Sequence, residues 1–252
     1  MAMSYQSDVN KISNYFSCLE SKKPKIKLMF SYFRKKNISW VVLGGTIRHC
    51  LENKKTRDID IVLSGCKNSD LISYLSTNEI SYIRNSFGGY KFVLDKTQFD
   101  IWTMDNHYLF KVGIYKKCVE NLQYTTFLSY DSLVYDGLTR HLFSDGYTNC
   151  EKKKIIDFVG SKKAVECNPV PAISICKIYK LVFNSNYAIS ENVKNYIIQY
   201  RRKFNSSIDC IKCLEMAYKK HYKKEMSQSF KIKLKREIEK IYCNSFQLYL
   251  PF

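Results

Sequence analysis

The sequence predicts an α+β protein in two parts: a small mixed β-sheet flanked by helices, then an all-α helical part. Three observations carry this. Between residues 39 and 103, short apolar runs alternate with glycine-containing or polar turns, the texture of strands. Beyond about residue 160, glycine becomes scarce and apolar residues recur at helical spacing. Hydrophobic residues make up 45% of the 252, enough for a packed core.

The elements follow in chain order. Val9, Ile12, Tyr15 and Phe16, then Ile26, Met29, Phe30 and Phe33, are spaced for two helices within residues 1–38 that cover one sheet face. Trp40 to Leu43 reads as a buried strand, followed at once by Gly44 and Gly45 and a short helix over 46–53. Glycine lets the backbone approach a ligand closely, and a helix start presents free N–H groups to phosphate. Strand character resumes in Arg57-Asp58-Ile59-Asp60-Ile61-Val62. Strand side chains alternate faces, so Asp58 and Asp60 point one way and Ile59 and Ile61 the other. Neighbouring carboxylates repel unless a cation lies between them, and such oxygen pairs suit Mg²⁺ with substrate phosphates. A helix over 69–76, capped by Asn68 or Ser69, a strand over 79–85 and a hairpin of 90–94 with 98–103 come next. Asp100 stands between apolar neighbours in Phe99-Asp100-Ile101-Trp102, which marks it as a candidate functional carboxylate. Asp95 and Asp105 fall at turns. Pro169 and Pro171 open the helical part, with helices over 170–183, 191–203, 207–220 and 227–243.

The ordered set Gly44-Gly45-x-x-Arg48-x-x-Leu51 followed by Asp58-x-Asp60 resembles the head domain of the polymerase-β-type nucleotidyltransferases, within them the poly(A) polymerase and CCA-adding tRNA nucleotidyltransferase branch. The strong motif spans residues 39–63, and a weaker likeness extends over about 38–185. The resemblance implies residues 1–163 as a head with N-terminal helices and 164–252 as a helical neck and body. It implies transfer of a nucleoside monophosphate from a triphosphate, ATP or CTP foremost, to a hydroxyl, with pyrophosphate leaving. Asp58, Asp60 and Asp100 would be catalytic and hold a two-metal Mg²⁺ site. Gly44 and Gly45 would admit the β/γ-phosphates, with Arg48 supporting the triphosphate or the loop and Arg57 a weaker contact. Arg84 and Lys91 are further candidates near the triphosphate.

Departures are informative. The family's Arg-Asp pair falls near Thr125 and Thr126, its Ala-Tyr-Asp segment near Val134-Tyr135-Asp136, and its Asp after the arginine is His49. The acidic pair that opens the family's base-reading helix is absent, where Cys167-Asn168-Pro169-Val170-Pro171 stands, with Lys177 and Lys180 following. That argues against CCA-type base templating.

Lys and Arg total 41 against 23 Asp and Glu, a formal charge of +18 that favours a polyanionic partner. Lysines and tyrosines interleave in Tyr196, Tyr200-Arg201-Arg202-Lys203 and Tyr218-Lys219-Lys220-His221-Tyr222, so an RNA acceptor held on this surface is expected. No apolar run approaches about 18 residues, so no membrane span is expected. Ten irregularly spaced cysteines and a polar start without a signal peptide point to reduced thiols and a cytoplasmic protein. The lone Cys210-x-x-Cys213 and the scattered histidines 49, 107, 141 and 221 lack zinc spacing, and neither a Walker A loop nor G-x-S-x-G occurs. Two other readings stay open: transfer to a protein or small molecule, as in toxin and antibiotic-modifying relatives, and a non-catalytic RNA-binding module on the same fold.

Overall fold

The structure, a computed structural model, describes residues 2–247, and at the helix ends 2–4 and 242–247 only the backbone. Two helices open the chain, α1 (Ala2–Lys22) and α2 (Pro24–Lys35). Pro24 sits in the first turn of α2, where a missing N–H breaks no bond. Asp95, distant in sequence, accepts the Lys25 and Ile26 backbone N–H groups at 2.8 and 3.4 Å.

The sheet follows: β1 (Ser39–Leu43), α3 (Gly45–Leu51), β2 (Asp58–Ser64), α4 (Asn68–Thr77), β3 (Tyr82–Arg84), β4 (Tyr90–Leu94), β5 (Thr97–Thr103), α5 (Tyr108–Lys111), β6 (Val134–Asp136) and β7 (His141–Phe143). Its seven strands run in the order β3-β4-β5-β2-β1-β6-β7, and every pair is antiparallel except β2 with β5. A parallel pair needs a long crossover, which α4, β3 and β4 supply. Asp95 and Lys96 both take positive φ, the two-residue turn that matches hairpin twist, and close β4 onto β5.

Each face of the sheet has its own apolar layer. Val9, Ile12, Phe16, Ile26, Met29, Phe30 and Phe33 of the first two helices pack on Trp40, Val42, Ile59, Ile61, Phe99 and Tyr135. On the opposite face, Val41, Leu43, Val62 and Val134 meet Met104, Phe110 and Leu122 from the segment after β5. That second layer reaches Val62 but leaves Asp58 and Asp60 uncovered, so β2 alternates in burial up to Ile61 and is continuously buried from there to Leu63.

Two expectations are corrected. The cap of α4 is Lys67, whose backbone N–H is held by the Asp70 carboxylate at 3.1 Å. Asn68 instead donates to the Tyr90 hydroxyl at 2.9 Å and accepts from Asn106 at 2.6 Å. The strand expected from residue 79 shrinks to β3, because Glu79 takes φ 50° and Ile80 N–H returns to Leu75 O to close the helix.

After β7 come α6 (Asp145–Lys153), β8 (Ile155–Ile156), α7 (Lys162–Glu166), α8 (Pro171–Asn184), β9 (Ala188–Ile189), α9 (Glu191–Arg201), α10 (Ser207–Tyr222) and α11 (Gln228–Gln247). The chain divides into two units: residues up to 149 with 159–166, and 150–158 with 167 onward. The first holds the seven-stranded sheet. In the second, α8 packs on α10 and α11 around Ile175, Cys176, Ile178, Leu214, Leu234 and Ile238. This helical unit also contains the parallel β8–β9 ribbon. Among the described residues, no helix is long and apolar enough to cross a membrane.

Candidate active site

The β2–β5 register builds the site. It pairs Asp60 with Asp100 and Asp58 with Gln98 as Cα partners on parallel strands. On the other side of β5, Lys91 of β4 is the Cα partner of Asp100. Lys91, Asp100 and Asp60 therefore form one row across three strands, with Asp58 two residues along on the same face. The register thus sets the three aspartates on one sheet face.

Asp58 and Asp100 are held by neighbouring side chains. Arg57 donates to Asp58 Oδ2 from Nε at 3.1 Å and from Nη2 at 2.7 Å, and Gln98 Nε2 lies 3.5 Å from the same oxygen. Thr46 and Thr56 hydroxyls both donate to the Asp58 carbonyl, at 3.0 and 2.8 Å, and fix the start of β2 beside α3. Asp100 is buried, pairs with Lys91 Nζ at 3.1 Å and accepts from Asn85 Nδ2 at 2.7 Å. Burial raises its pKa above the usual carboxylate value; Lys91 and Asn85 oppose that rise, and the Asp58 charge adds to it.

The turn between β3 and β4 exists to aim Asn85. Its Oδ1 accepts the Phe87 and Gly89 N–H groups, each at 2.9 Å, leaving Nδ2 for Asp100. A side chain at Gly89 would collide with the Trp102 indole and the Asn85 amide. Sequence reasoning missed Asn85 and Gln98. Their signal was faint: an Asn shortly before a glycine pair, and a Gln two residues before the Asp.

The glycine bend lies at the end of β1. Gly44 takes φ 54° and ψ −114°, a conformation open to glycine, and is the N-cap of α3. Its N–H donates to Leu133 O at 2.8 Å, and an added Cβ would meet Asp131 O at 3.3 Å. At Gly45 an added Cβ would meet only the Arg48 guanidinium, at 3.9 Å. Gly44 therefore packs closely on Asp131, whereas Gly45 has room around it.

Arg48 takes the loop-supporting option. Its Nε lies 3.3 Å from Asp131 Oδ1, its Nη1 lies 3.7 Å from Glu52, and its guanidinium stacks 4.5 Å from the Tyr130 ring centroid. Burial opposes its charge, but Asp131, Tyr130 and Glu52 outweigh that and raise its pKa. Arg84 is exposed on β3. Thr125 and Thr126 donate to the carbonyls of Leu122 and Gln123 in their own turn, and Asp136 accepts from Leu138 and Thr139 in its turn and from Ser39 of the neighbouring strand β1.

In the helical unit, Asn168 is buried and its amide is fully used. It donates to Ser174 at 2.8 Å and to Tyr196 at 3.0 Å, and accepts the Val170 N–H at 3.0 Å. These bonds fix the turn that leads into α8.

The resemblance implies Mg²⁺, and the donor chemistry fits it: oxygen ligands on one face, from register partners, with mutual repulsion between Asp58 and Asp100. As the side chains stand, Asp58 is turned onto Arg57 and Asp100 onto Lys91 and Asn85. No group of three or more His, Cys, Asp or Glu among the described residues is arranged to grip a metal ion.

No protein-family model matches this chain, and no curated protein matches it significantly. Solved structures do. The Thermotoga maritima CCA-adding enzyme complexed with tRNA is similar at a TM-score of 0.59 and 16% identity, over 88% of this chain and 53% of that one. A CCA-adding enzyme in complex with CTP gives 0.60 and 16%, over 88% and 54%. A tRNA nucleotidyltransferase complexed with a primer tRNA and an incoming ATP analog gives 0.58 and 14%, over 83% and 60%. This chain thus spans between 53% and 60% of the length of these three. At such identities the likeness is one of fold, and the fold of this chain is that of the CCA-adding and tRNA nucleotidyltransferase structures, the branch to which the glycine-pair and paired-aspartate motif points.

Proposed function

We propose that this chain is a metal-dependent nucleotidyltransferase that moves a nucleoside monophosphate from a triphosphate onto a hydroxyl, with an RNA 3′ end as the acceptor and pyrophosphate as the leaving group. One observation carries this reading: the register of β2 with β5 sets Asp58, Asp60 and Asp100 on one sheet face. The fold adds support, since structures sharing it were solved with ATP, CTP or tRNA.

In this reading Asp58, Asp60 and Asp100 would hold divalent ions, which would supply charge neutralisation of the triphosphate and polarisation of its α-phosphate. Lys91 pairs with Asp100 and Arg57 with Asp58, and in this reading both cations would exchange these partners for phosphate. Asn85 fixes the Asp100 carboxylate, which in this reading would face the attacking hydroxyl. Gly45, lacking a side chain at the start of α3, leaves room for the β- and γ-phosphates. Templating of the CCA type has no support, because Asn168 is committed within its own unit.

The test is to incubate the protein with Mg²⁺, each α-labelled triphosphate in turn, and total RNA. Label on RNA is expected, and its loss in Asp58→Asn and Asp60→Asn variants that remain folded. Label on the protein itself would redirect the acceptor assignment, and no label with any triphosphate would remove the enzymatic reading.

A further inference from the structure

The helical unit contains a cavity unrelated to the acidic face. It has a volume of about 450 Å³ and lies between the end of α8, the loop after α10 and the start of α11. Lys180, Lys224 and Lys233 line it, together with the rings of Phe183, Tyr218 and Phe230. Sites for small organic ligands fall in the range of roughly 300–1,000 Å³.

Its lining is unlike a solvated lysine face. Three lysines from three separate segments converge on one hollow, and the aromatic rings form its wall. Phe183 meets Phe230 edge-on at 5.5 Å, and Phe230 lies 5.8 Å from Tyr218. The Lys233 ammonium stands 5.8 Å from the Phe183 centroid, and Lys180 stands 4.8 Å from the Tyr222 centroid. The one carboxylate in the lining, Glu225, is engaged by Lys219 at 2.5 Å. Lys224 and Lys233 have no carboxylate partner among the described residues. Cations beside half-buried aromatic faces suit a ligand that offers a phosphate and a flat ring together.

We propose that this cavity binds a nucleotide unit, its phosphate between Lys180 and Lys233 and its base against Phe183. The source is a strand of single-stranded RNA or a free nucleotide. The inference deepens the reading of an RNA acceptor and rests on it, by giving the helical unit its own nucleotide subsite.

The test is fluorescence anisotropy of a labelled single-stranded hexaribonucleotide on the full chain in EDTA. Nucleotide transfer does not occur there, so a failure of this site and a failure of the transfer reading are seen separately. Lys180→Gln/Lys233→Gln is expected to reduce the salt slope of log affinity by about 1.4, from two lost phosphate contacts. Phe183→Ala is expected to weaken binding about fivefold or more. Lys180→Arg/Lys233→Arg should restore the slope, which separates charge from packing. Competition by unlabelled ATP marks a free nucleotide as the source, and its absence marks the strand. Three results would overturn the proposal: unchanged affinity in both variants, an equal loss in the surface control Lys152→Gln/Lys153→Gln, or a hexaglutamate peptide that competes as well as RNA.

Discussion

Gly44 and Gly45 look interchangeable in sequence, yet the structure asks different things of them. Gly44 sits at φ 54° and ψ −114° with Asp131 O 3.3 Å from any added Cβ, so Gly44→Ala should lower stability by about 1–3 kcal/mol in denaturant unfolding. Gly45 is helical and roomy, so Gly45→Ala should leave stability unchanged or raise it by up to about 1 kcal/mol, while slowing nucleotide transfer. Equal loss of stability in both would contradict this division. His107 is a second residue-scale case. Its ring lies between Trp102 and Phe110, its Nδ1 is sealed without a partner, and burial holds its pKa down to about 4. The folded pKa lies below the unfolded value of 6.5, so the unfolded chain takes up the proton first. Stability is therefore full above pH 6.5 and falls toward pH 4, by up to about 2 kcal/mol for this partly exposed ring. Unfolding curves across that range should flatten in His107→Leu by that amount; an unchanged slope would contradict it. The aspartates were legible because period-2 alternation puts Asp58 and Asp60 on one face whatever the tertiary structure. Asn85 was not, because its role depends on a turn that folds its amide back onto a strand fifteen residues later.

At the scale of elements, α3 is fastened as much as it is packed. Arg48 ties it to Asp131, to Glu52 and to the Tyr130 ring, and so holds the loop that carries the Leu133 carbonyl against Gly44. Removing Arg48 or Asp131 takes the nearer counterion from a largely shielded charge. A double-mutant cycle on Arg48→Met and Asp131→Asn should give a coupling of about 1–3 kcal/mol, and Arg48→Lys should recover little, since an ammonium lacks the planar stack. Additive effects would contradict that. The hairpin of β4 and β5 was readable from its alternation. The parallel partnership of β2 with β5 was not, since non-local pairing leaves no mark in a local window. The likeness to a known head pointed only to Asp100 as a third carboxylate beside the pair; the parallel register sets Asp60 opposite Asp100. The short strands β8 and β9 carry two residues each, too few for any period, and β9 went unforeseen.

For the whole molecule, the chain divides into two units, one built on the seven-stranded sheet and one mainly helical. The mixed sheet places the acidic face. The helical unit carries many of the basic residues, and the chain as a whole bears a formal charge of +18. The two-part organisation was visible as a change in glycine content and in hydrophobic period, both of which are local properties. The proposed activity depends on Asp58, Asp60 and Asp100 acting as one divalent-metal site, although Asp58 pairs with Arg57 and Asp100 with Lys91. The most direct measurement is Mn²⁺ affinity by electron paramagnetic resonance, with a non-hydrolysable ATP analogue present, on the parent chain and on the Asp58→Asn, Asp60→Asn and Asp100→Asn variants. Each substitution is expected to weaken binding about tenfold or more while the fold is kept. Affinity equal to the parent in Asp60→Asn and Asp100→Asn would show that these carboxylates share no metal, and the proposed activity would lose its foundation.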